Sequence, residues 1–420
     1  GYSLKGSGYD VPLFEEAERL AKEKDKVVLV VGLTEEYEAE GFDRRHLSLP
    51  KGQLELIKRL VKINKNIAVF LSVGSAIDME WADSSSIKSI VNMHLTGEAF
   101  GEAVSDIMFG RANPSGKLTE TYPMSLDDIM STKYFSMGPQ TVEYRESIFV
   151  GYRYFDSAKV NVRYPFGYGL SYTKFKYSSL KLDKAQIKDG ENLTATFDIE
   201  NIGDKKGKEV IQIYVRDVKS THFTPNKELK AFLKVELDAG EKKTFTVTLD
   251  RDAFTFFNTL TKRYEVEKGE FEILVGASSR DIKMKSTIKY ECEDIEVEDL
   301  RKLAPSYYDL KGVTSIPDNE FFAVLNRELA GNKKIKKGDL DMNCTLEQID
   351  VTALGKMVKF LIRKVAPMAL AKGASEANKE MVRRSALDLP IRNMYGLTQG
   401  AVSKKSTEGL LLIFNGHFFK

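Results

Sequence analysis

The amino-acid sequence predicts a multi-domain chain that joins an α/β fold to an all-β fold. Short apolar runs alternate with amphipathic stretches up to about residue 175, as is typical of a parallel or mixed-sheet α/β sandwich. Apolar and polar residues then alternate with a period of two until about residue 290, which indicates antiparallel strands. The last part lacks this alternation and carries helical periodicity. We therefore expect an α/β domain at 1–175, a β-sandwich at 176–290 and a mostly helical extension at 291–420.

The α/β prediction depends on buried strands with amphipathic helices between them. Three runs are apolar enough to be strands buried on both faces: KVVLVVGL, IAVFLSVG and SIVNMHL. Between the first two, PKGQLELIKRLVKIN repeats apolar residues at helical spacing, with Pro50 in the first turn and Ser48 as the expected N-cap. In sheets of this kind, ligands bind in the loops that follow the carboxyl ends of the strands. Residues 34–50 form one such loop.

The sandwich prediction comes from alternating runs separated by turn sequences. Leu193, Ala195, Phe197 and Ile199 alternate with polar residues, and similar patterns recur near residues 211–215, 245–249 and 271–275. The sequences NIGDKKG, DAGEKK and VEKGE between these runs are typical of turns. No charged constellation stands out in this region, so we expect it to be structural.

The helical extension contains basic amphipathic pieces such as LGKMVKFLIRKVAPMALAKG. Such helices occur at membrane surfaces and in calmodulin targets, but packing on the chain's own domains is the more frequent use, and Pro367 and Pro390 divide this region into short elements. The apolar run GLLLIFNGHFFK needs cover from this chain or from another one.

Composition excludes several functional classes. The net charge of +2, from 63 basic and 61 acidic side chains, gives no reason to expect a nucleic-acid partner. The sequence has two cysteines and four scattered histidines, so we expect no disulfide framework, no metal and no other cofactor. No apolar run is long enough to span a bilayer, and no membrane partner is expected. The low cysteine content favours a reducing compartment such as the cytoplasm.

The loop TEEYEAEGFDRRHLSLP is the strongest functional signal in the residues themselves. Five carboxylates precede two arginines directly after a predicted buried strand: Glu35, Glu36, Glu38, Glu40 and Asp43. Acidic surface loops are common, so the concentration alone does not establish a site.

Four motifs follow one another in a fixed order: EGFDR at 40–44, NPSGKLTETYP at 113–123, FVGYRYFD at 149–156 and YPFGYGLSYTKF at 164–175. In this combination they resemble glycoside hydrolase family 3, most closely its bacterial β-glucosidase branch. Later stretches such as ELKAFLKVEL and GEFEILVGASSRDI extend the similarity to about residue 290. The resemblance implies a catalytic barrel with an aspartate nucleophile, an α/β sandwich domain that lends the acid/base glutamate, and a fibronectin-III-like module. The barrel is missing here, and the α/β domain seen at 1–175 is expected to be incomplete at its N-terminus.

The resemblance implies that Glu40, by its place in EGFDR, is the acid/base residue. A retaining glycosidase needs two carboxyl groups about 5 to 5.5 Å apart, and this chain offers only the second of them. An acid that works at neutral pH needs a raised pKa, which burial and neighbouring negative charge provide. Glu38 is the alternative acid/base residue, while Asp43 and Arg44 are expected to shape the loop as an ion pair. No substrate-binding residue is predicted.

The resulting hypothesis is the C-terminal portion of a retaining, exo-acting β-glucosidase that hydrolyses terminal β-D-glucosyl residues of oligosaccharides or glycosides. The catalytic barrel would belong to the same gene product or to a second chain, and this chain alone is expected to be inactive. The alternatives are a β-xylosidase or other exo-glycosidase of the family, and a non-catalytic module that binds carbohydrate or a partner. A homo-oligomer is compatible with the sequence.

Overall fold

The computed structural model describes residues 1–3, 9–39, 43–135, 141–328, 334–370, 374–397 and 402–417. It contains an α/β domain, a two-sheet β-sandwich and a helical extension in chain order, so the predicted fold class is confirmed.

The α/β domain is built on a parallel three-stranded sheet. The elements of the domain are α1 Val11–Glu23, β1 Val27–Gly32, α2 Lys51–Ile63, β2 Ile67–Ser72, β3 Ile87–Asn92, α3 Phe100–Met108, β4 Tyr122–Pro123, α4 Tyr152–Ser157 and β5 Val162–Tyr164. The strand order in the parallel sheet is β1-β2-β3, and helices connect or flank the strands. All three predicted strands are therefore present, but the prediction that they are buried on both faces is wrong for β1, because Val28 and Val30 are each 48% exposed. The core lies between the sheet and α1 and α2, where Phe14, Leu56 and Val69 are almost fully buried.

The three parallel strands end at the same edge of the sheet. Gly32 is paired with Ser72, and Leu71 with Asn92, so the loops that follow the strands start side by side. Gly32 is required at this point because a Cβ there would lie 2.1 Å from the Ser72 carbonyl oxygen. The buried Gln53 amide donates to the Gly32 carbonyl oxygen at 2.8 Å and accepts from its N–H at 2.9 Å. The start of the acidic loop is thereby fixed.

Helix α2 begins two residues later than predicted. Pro50 is its N-cap and no side chain caps it, so the expected Ser48 cap is wrong. The fixed φ of proline preorganises the start of the helix without a capping hydrogen bond. The Pro50 carbonyl oxygen accepts hydrogen bonds from the N–H groups of Gln53 and Leu54, and these bonds close the first turn of the helix.

The β-sandwich consists of a five-stranded and a three-stranded sheet. The strands are β6 Phe175–Leu182, β7 Gln186–Lys188, β8 Leu193–Asn201, β9 Gly207–Asp217, β10 Glu228–Leu237, β11 Lys242–Leu249, β12 Phe256–Asn258, β13 Arg263–Glu265, β14 Gly269–Ser278 and β15 Asp281–Glu291. The strand order is β10-β9-β14-β15-β7 in the larger sheet and β11-β8-β6 in the smaller one, and β12 and β13 form a separate hairpin. The period-two prediction is confirmed, because Leu193, Ala195, Phe197 and Ile199 are all 0% exposed in the core between the sheets.

The remaining family motifs lie at the junction between the α/β domain and the sandwich. Asn113 accepts hydrogen bonds from Ser171 Oγ and the Tyr172 N–H, and its amide donates to the Lys206 carbonyl. The Gly167 carbonyl oxygen accepts a hydrogen bond from the Gln212 side-chain amide. Position 167 favours glycine because its φ is +79° and a Cβ there would lie 2.0 Å from Gln212 Oε1. These motif residues join the two domains.

The FVGYRYFD motif completes this junction. Tyr152 stacks on Phe166 at 4.7 Å and meets Tyr214 edge-on, while the Arg153 guanidinium lies 5.5 Å from the Tyr152 ring centroid. An aromatic cluster with a cation on a ring face thus lies between the two domains. Asp156 is buried between Arg280 at 2.7 Å and Lys227 at 3.0 Å.

The extension has two parts. Residues 293–326, which include α5 Asp318–Leu325, pack against the segment before α4, where the buried Arg145 pairs with Glu143 and Asp318 at 2.6 and 2.5 Å. The second part forms its own small core from α6 Ala353–Val365, α7 Glu376–Asp388, α8 Met394–Leu397 and α9 Lys404–Phe414. Phe414 is 2% exposed in that core, whereas Leu412 is 38% exposed, so this chain covers the described portion of the closing apolar run only in part.

Within the described ranges, every helix is too short or too polar to cross a membrane.

Replacing Asn201 by alanine is expected to destabilise the sandwich by about 3 kcal/mol, because it leaves several buried polar groups unpaired. The Asn201 side chain is 0% exposed. Its amide nitrogen donates to the carbonyl oxygens of Lys205 and Leu237. Its amide oxygen accepts from Thr173 Oγ1 and from the Gly203 N–H. Urea unfolding followed by far-UV circular dichroism measures the loss. The exposed Asn192→Ala is the matched control, and equal stability of the two variants would contradict the argument.

Candidate functional site

The acidic loop leaves the carboxyl edge of the sheet directly after β1. The Thr34 carbonyl accepts from the N–H groups of Tyr37 and Glu38 at 2.8 and 3.0 Å, which folds the first residues into a tight turn. Glu35 and Glu36 are exposed, whereas Tyr37 and Glu38 are half-buried. The loop thus turns Glu38 back toward the neighbouring strand end.

Glu38 anchors the first half of the loop. Its two carboxylate oxygens accept from the Gly74 N–H at 3.0 and 2.9 Å, just beyond the end of β2. A Cβ at position 74 would lie 3.1 Å from Glu38 Oε1, so glycine permits this close approach. With both oxygens directed at a backbone donor, Glu38 has the geometry of an anchor rather than of a proton donor to a substrate.

Arg44 anchors the second half of the acidic loop. Its Nη2 donates to Ser75 Oγ at 2.6 Å and to the Ala76 carbonyl at 2.8 Å. Among the described residues no ion pair joins Asp43 to Arg44, and Asp43 is exposed, so the predicted Asp-Arg pair is wrong. The guanidinium prefers the 75–76 turn because two acceptors there match its fixed donor geometry.

Glu40 lies outside the described residues, as do Gly41 and Phe42. The structure therefore fixes the two flanks of this short segment, at Glu38 and Arg44, on the same turn after β2. The acid/base assignment of Glu40 stays a prediction.

A second carboxyl, Glu120, lies near both anchors. Burial raises the pKa of Glu120, and the neighbouring Glu38 adds to this shift, while a backbone hydrogen bond from Ala76 and the charge of Arg44 oppose it. The adjacent Tyr122 is 1% exposed, and burial also raises the pKa of its phenol. Its hydroxyl accepts from the Asn92 amide at 2.8 Å, which ties the group to the end of β3.

Sequence reasoning did not single out Glu120 or Asn92. The available signals were the position of Glu120 inside the motif NPSGKLTETYP and the position of Asn92 at the end of an apolar run. A polar residue at the carboxyl end of a buried parallel strand faces the edge where ligands bind.

Helix α7 of the extension forms an outer wall opposite the acidic loop. A cavity of about 360 Å³ separates them. Glu376, Glu380 and Arg384 line it from the helix, and on the loop side the lining residues are Glu36, Tyr37, Asp43, Arg44, Arg45 and His46. Its volume is within the range of small-molecule sites.

The described residues contain no cluster of three or more histidine, cysteine or carboxylate side chains that could hold a metal ion.

Two models of known domain families match the α/β domain and the sandwich. Residues 10–172 match the glycosyl hydrolase family 3 C-terminal domain, and residues 209–279 match the fibronectin type III-like domain. The chain therefore belongs to glycoside hydrolase family 3, represented by its C-terminal α/β domain, and the resemblance seen in the motifs is confirmed.

Known relatives are β-glucosidases and related exo-glycosidases. A thermostable β-glucosidase B of Acetivibrio thermocellus is 46% identical over 289 residues, which are 69% of this chain and 38% of that protein. An exo-α-(1→6)-L-arabinopyranosidase of Bifidobacterium breve is 39% identical over 294 residues, again 69% of this chain and 38% of that protein. The crystal structure of a Bifidobacterium adolescentis family 3 β-glucosidase has a TM-score of 0.67 at 34% identity and covers 77% of this chain and 46% of that one. This chain thus spans less than half the length of these relatives.

Arg44→Ala is expected to destabilise the α/β domain by about 2 kcal/mol, because two hydrogen bonds from a charged group are lost. Trp81, the single tryptophan, packs against the core of this domain and reports its unfolding by fluorescence in urea. The exposed neighbour Arg45→Ala is the matched control. Indistinguishable stabilities for the two variants would rule out the anchoring role of Arg44.

Glu120→Gln is expected to change the pH dependence of stability. Because the folded-state pKa lies above the ordinary value of 4.5, the stabilisation from this carboxyl is present at low pH and is lost as pH rises through the raised pKa. Glutamine does not titrate, so the variant gains stability relative to wild type as pH rises from about the ordinary value of 4.5 through the raised pKa of Glu120. Thermal unfolding across this range measures the difference, with the exposed Glu98→Gln as control. A constant difference at all pH values would contradict the raised pKa.

Proposed function

We propose that this chain is the C-terminal portion of a retaining, exo-acting β-glucosidase and lends Glu40 as the acid/base residue to a catalytic barrel outside the chain. The observation that carries the proposal is the double anchoring of the EGFDR loop. Glu38 and Arg44, on either side of residues 40–42, are both held on the turn after β2. A loop that only filled the surface would not need to be fixed at both flanks at the ligand-binding edge of a parallel sheet.

The reaction divides between the two parts of the site. In the first step, a carboxylate of the barrel attacks the anomeric carbon while the Glu40 carboxylic acid gives its proton to the glycosidic oxygen, so the leaving group departs as an alcohol. In the second step, the Glu40 carboxylate takes a proton from water, and the resulting hydroxide releases the sugar from the barrel carboxyl with net retention. Every proton is accounted for by Glu40 and one water.

The described residues support this role through position and charge. The anchors limit the movement of the loop flanks, which favours a reproducible distance between Glu40 and a partner carboxyl. Glu35, Glu36 and Glu38 place negative charge within a few residues of Glu40, and docking of a barrel would bury the loop. Both effects favour the protonated form that an acid catalyst requires.

The barrel is a partner that this chain needs for activity. The relatives are more than twice as long as the aligned part of this chain, which is consistent with a missing catalytic domain, in the same polypeptide or in a second one. By itself the chain is expected to show no turnover, since it supplies only one of two carboxyl groups.

The identity of the glycone is the second point of the proposal. We favour glucose because the Acetivibrio relative with 46% identity is a β-glucosidase. The arabinopyranosidase at 39% identity makes a pentopyranoside the alternative, and a β-xylosidase belongs to the same class of alternatives. The glycone pocket would lie mostly in the barrel, so the α/β domain alone does not decide between them.

A chimera tests the proposal directly. This chain replaces the corresponding part of the thermostable Acetivibrio enzyme, and the parent chimera is expected to hydrolyse cellobiose and aryl β-glucosides. Glu40→Ala should then reduce kcat/KM for cellobiose by roughly 100-fold or more, because general acid catalysis contributes about that much. Aryl glucosides with good leaving groups should lose far less in the glycosylation step, since they depart without protonation.

Glu15→Gln, at an exposed glutamate of α1, serves as the control, since this side chain belongs neither to the acidic loop nor to the lining of the cavity. Equal losses on cellobiose and on activated aryl glucosides would assign Glu40 a structural role. A chimera that keeps full cellobiose activity after Glu40→Ala would refute the acid/base assignment.

A further inference from the structure

The helical extension contacts the acidic loop across more than 300 residues of sequence. Ser375, the N-cap of α7, donates its hydroxyl to Glu35 Oε2 at 3.2 Å. A carboxylate at the N-terminus of a helix is favourable because the helix dipole is positive there. The two relatives named above align with 69% of this chain, so nearly a third of the chain lies outside those alignments.

One face of α7 is directed at the loop. Glu376, Glu380 and Arg384 are spaced four residues apart, so they lie in a row along the helix, and all three line the cavity of about 360 Å³. The Arg384 guanidinium pairs with Glu380 at 3.0 Å, which holds both side chains in the row. Lys379 pairs with Glu376 at 2.7 Å. Helix α7 therefore presents a row of charged side chains to the cavity, and ion pairs along the helix hold these side chains.

The opposite wall combines an aromatic pair with further charges. Tyr37 and His46 meet edge-on, with ring centroids 6.0 Å apart, and both line the cavity. Arg45 and Glu36 stand exposed at its rim. The cavity thus presents ring faces together with acceptors and donors that come from two distant parts of the chain.

We propose that this cavity is the subsite for the leaving-group sugar of the substrate, and that Glu380 is one of its specificity-determining residues. The inference rests on the proposed function of the acidic loop. The ligand is a neutral pyranose or a short β-linked oligosaccharide that extends from the glycosidic oxygen.

The chemistry of the lining fits a sugar. Carboxylates accept hydrogen bonds from pairs of hydroxyl groups, guanidinium groups donate to hydroxyl oxygens, and an aromatic face packs on the C–H face of a pyranose. The lining contains both signs of charge, with Glu376, Glu380 and Arg384 on one wall and Glu36, Asp43, Arg44 and Arg45 on the other. A neutral, hydroxyl-rich ligand can donate to the carboxylates and accept from the guanidinium groups.

The location selects the leaving-group side of the bond. The acid/base residue protonates the glycosidic oxygen, so the atoms beyond that oxygen lie on the side of the acid/base loop, while the glycone enters the barrel. Tyr37 and Asp43, three residues before and after Glu40, both line the cavity. The cavity therefore opens within a few residues of the proposed proton donor.

The first test uses Glu380→Gln in the chimera that carries the whole of this chain. We expect kcat/KM for cellobiose to fall by roughly fivefold or more, as for loss of a charge-assisted hydrogen bond. Methyl β-D-glucoside has no sugar in the leaving group, so its kcat/KM should change by less than about twofold. The matched control is Glu408→Gln, an exposed glutamate on α9 of the same extension. Equal changes for both substrates, or no change for either, would overturn the inference.

This result is separable from the test of the proposed function. If Glu40→Ala abolishes cellobiose hydrolysis and Glu380→Gln behaves like Glu408→Gln, the acid/base role stands and the subsite fails. If the chimera shows no Glu40-dependent activity, the cavity is tested in the unmodified chain by NMR titration with cellobiose. Binding would shift the ring signals of Tyr37 and His46, and Glu380→Gln would weaken it by roughly fivefold. Unshifted signals, or equal binding by the variant, would reject the subsite.

Discussion

The in-register pairing of β1 with β2 is the constraint on which the rest of the site depends. Since Gly32 and Ser72 are directly paired, the loop after β1 and the turn after β2 begin within hydrogen-bonding reach of each other. Only glycine fits at position 32, and Gln53 holds both of its backbone groups. A shift of one residue would move the 74–76 turn away from Glu38 and Arg44 and turn every strand side chain to the opposite face. The sheet register therefore sets where the acidic loop is held.

The family motifs serve the candidate site and the junction between domains. EGFDR carries the candidate acid/base residue and the Arg44 anchor. NPSGKLTETYP, FVGYRYFD and YPFGYGLSYTKF contribute Asn113, Asp156 and Gly167 to the junction with the sandwich, and the first of these motifs also carries Glu120 beside the loop anchors. Hydrogen bonds and ion pairs of this kind oppose relative movement of the two domains. In the proposed function, a loop that meets a carboxyl on a further domain would benefit from such a base.

Local patterns in the sequence were enough to predict the fold class, the three parallel strands and the alternating sandwich core, because periodicity records which face of an element is buried. The partners of the loop were not predictable in this way. Arg44 binds a turn about 30 residues further along the chain, and this distant pair of acceptors displaced the local partner Asp43. Glu120 and the Glu380 face were missed for the same reason, since nothing in their local sequence records a neighbour that the tertiary fold supplies. Ser48 failed as a cap because Pro50 alone fixes the start of α2.

The extension changes how the site is to be understood. The proposed hydrolysis at the strand edge requires a second carboxyl from a barrel, which would need the loop to be accessible on one side. Helix α7 covers the loop on another side and is held there by Ser375 and by its own core around Ile349 and Phe414. Because the contact reaches the loop flank at Glu35 and leaves a cavity rather than a filled interface, α7 narrows the approach to the loop without closing it. In the proposed enzyme, a wall at this place would contact what extends past the scissile bond, so the proposal assigns substrate selection to the extension and bond cleavage to the loop and the barrel.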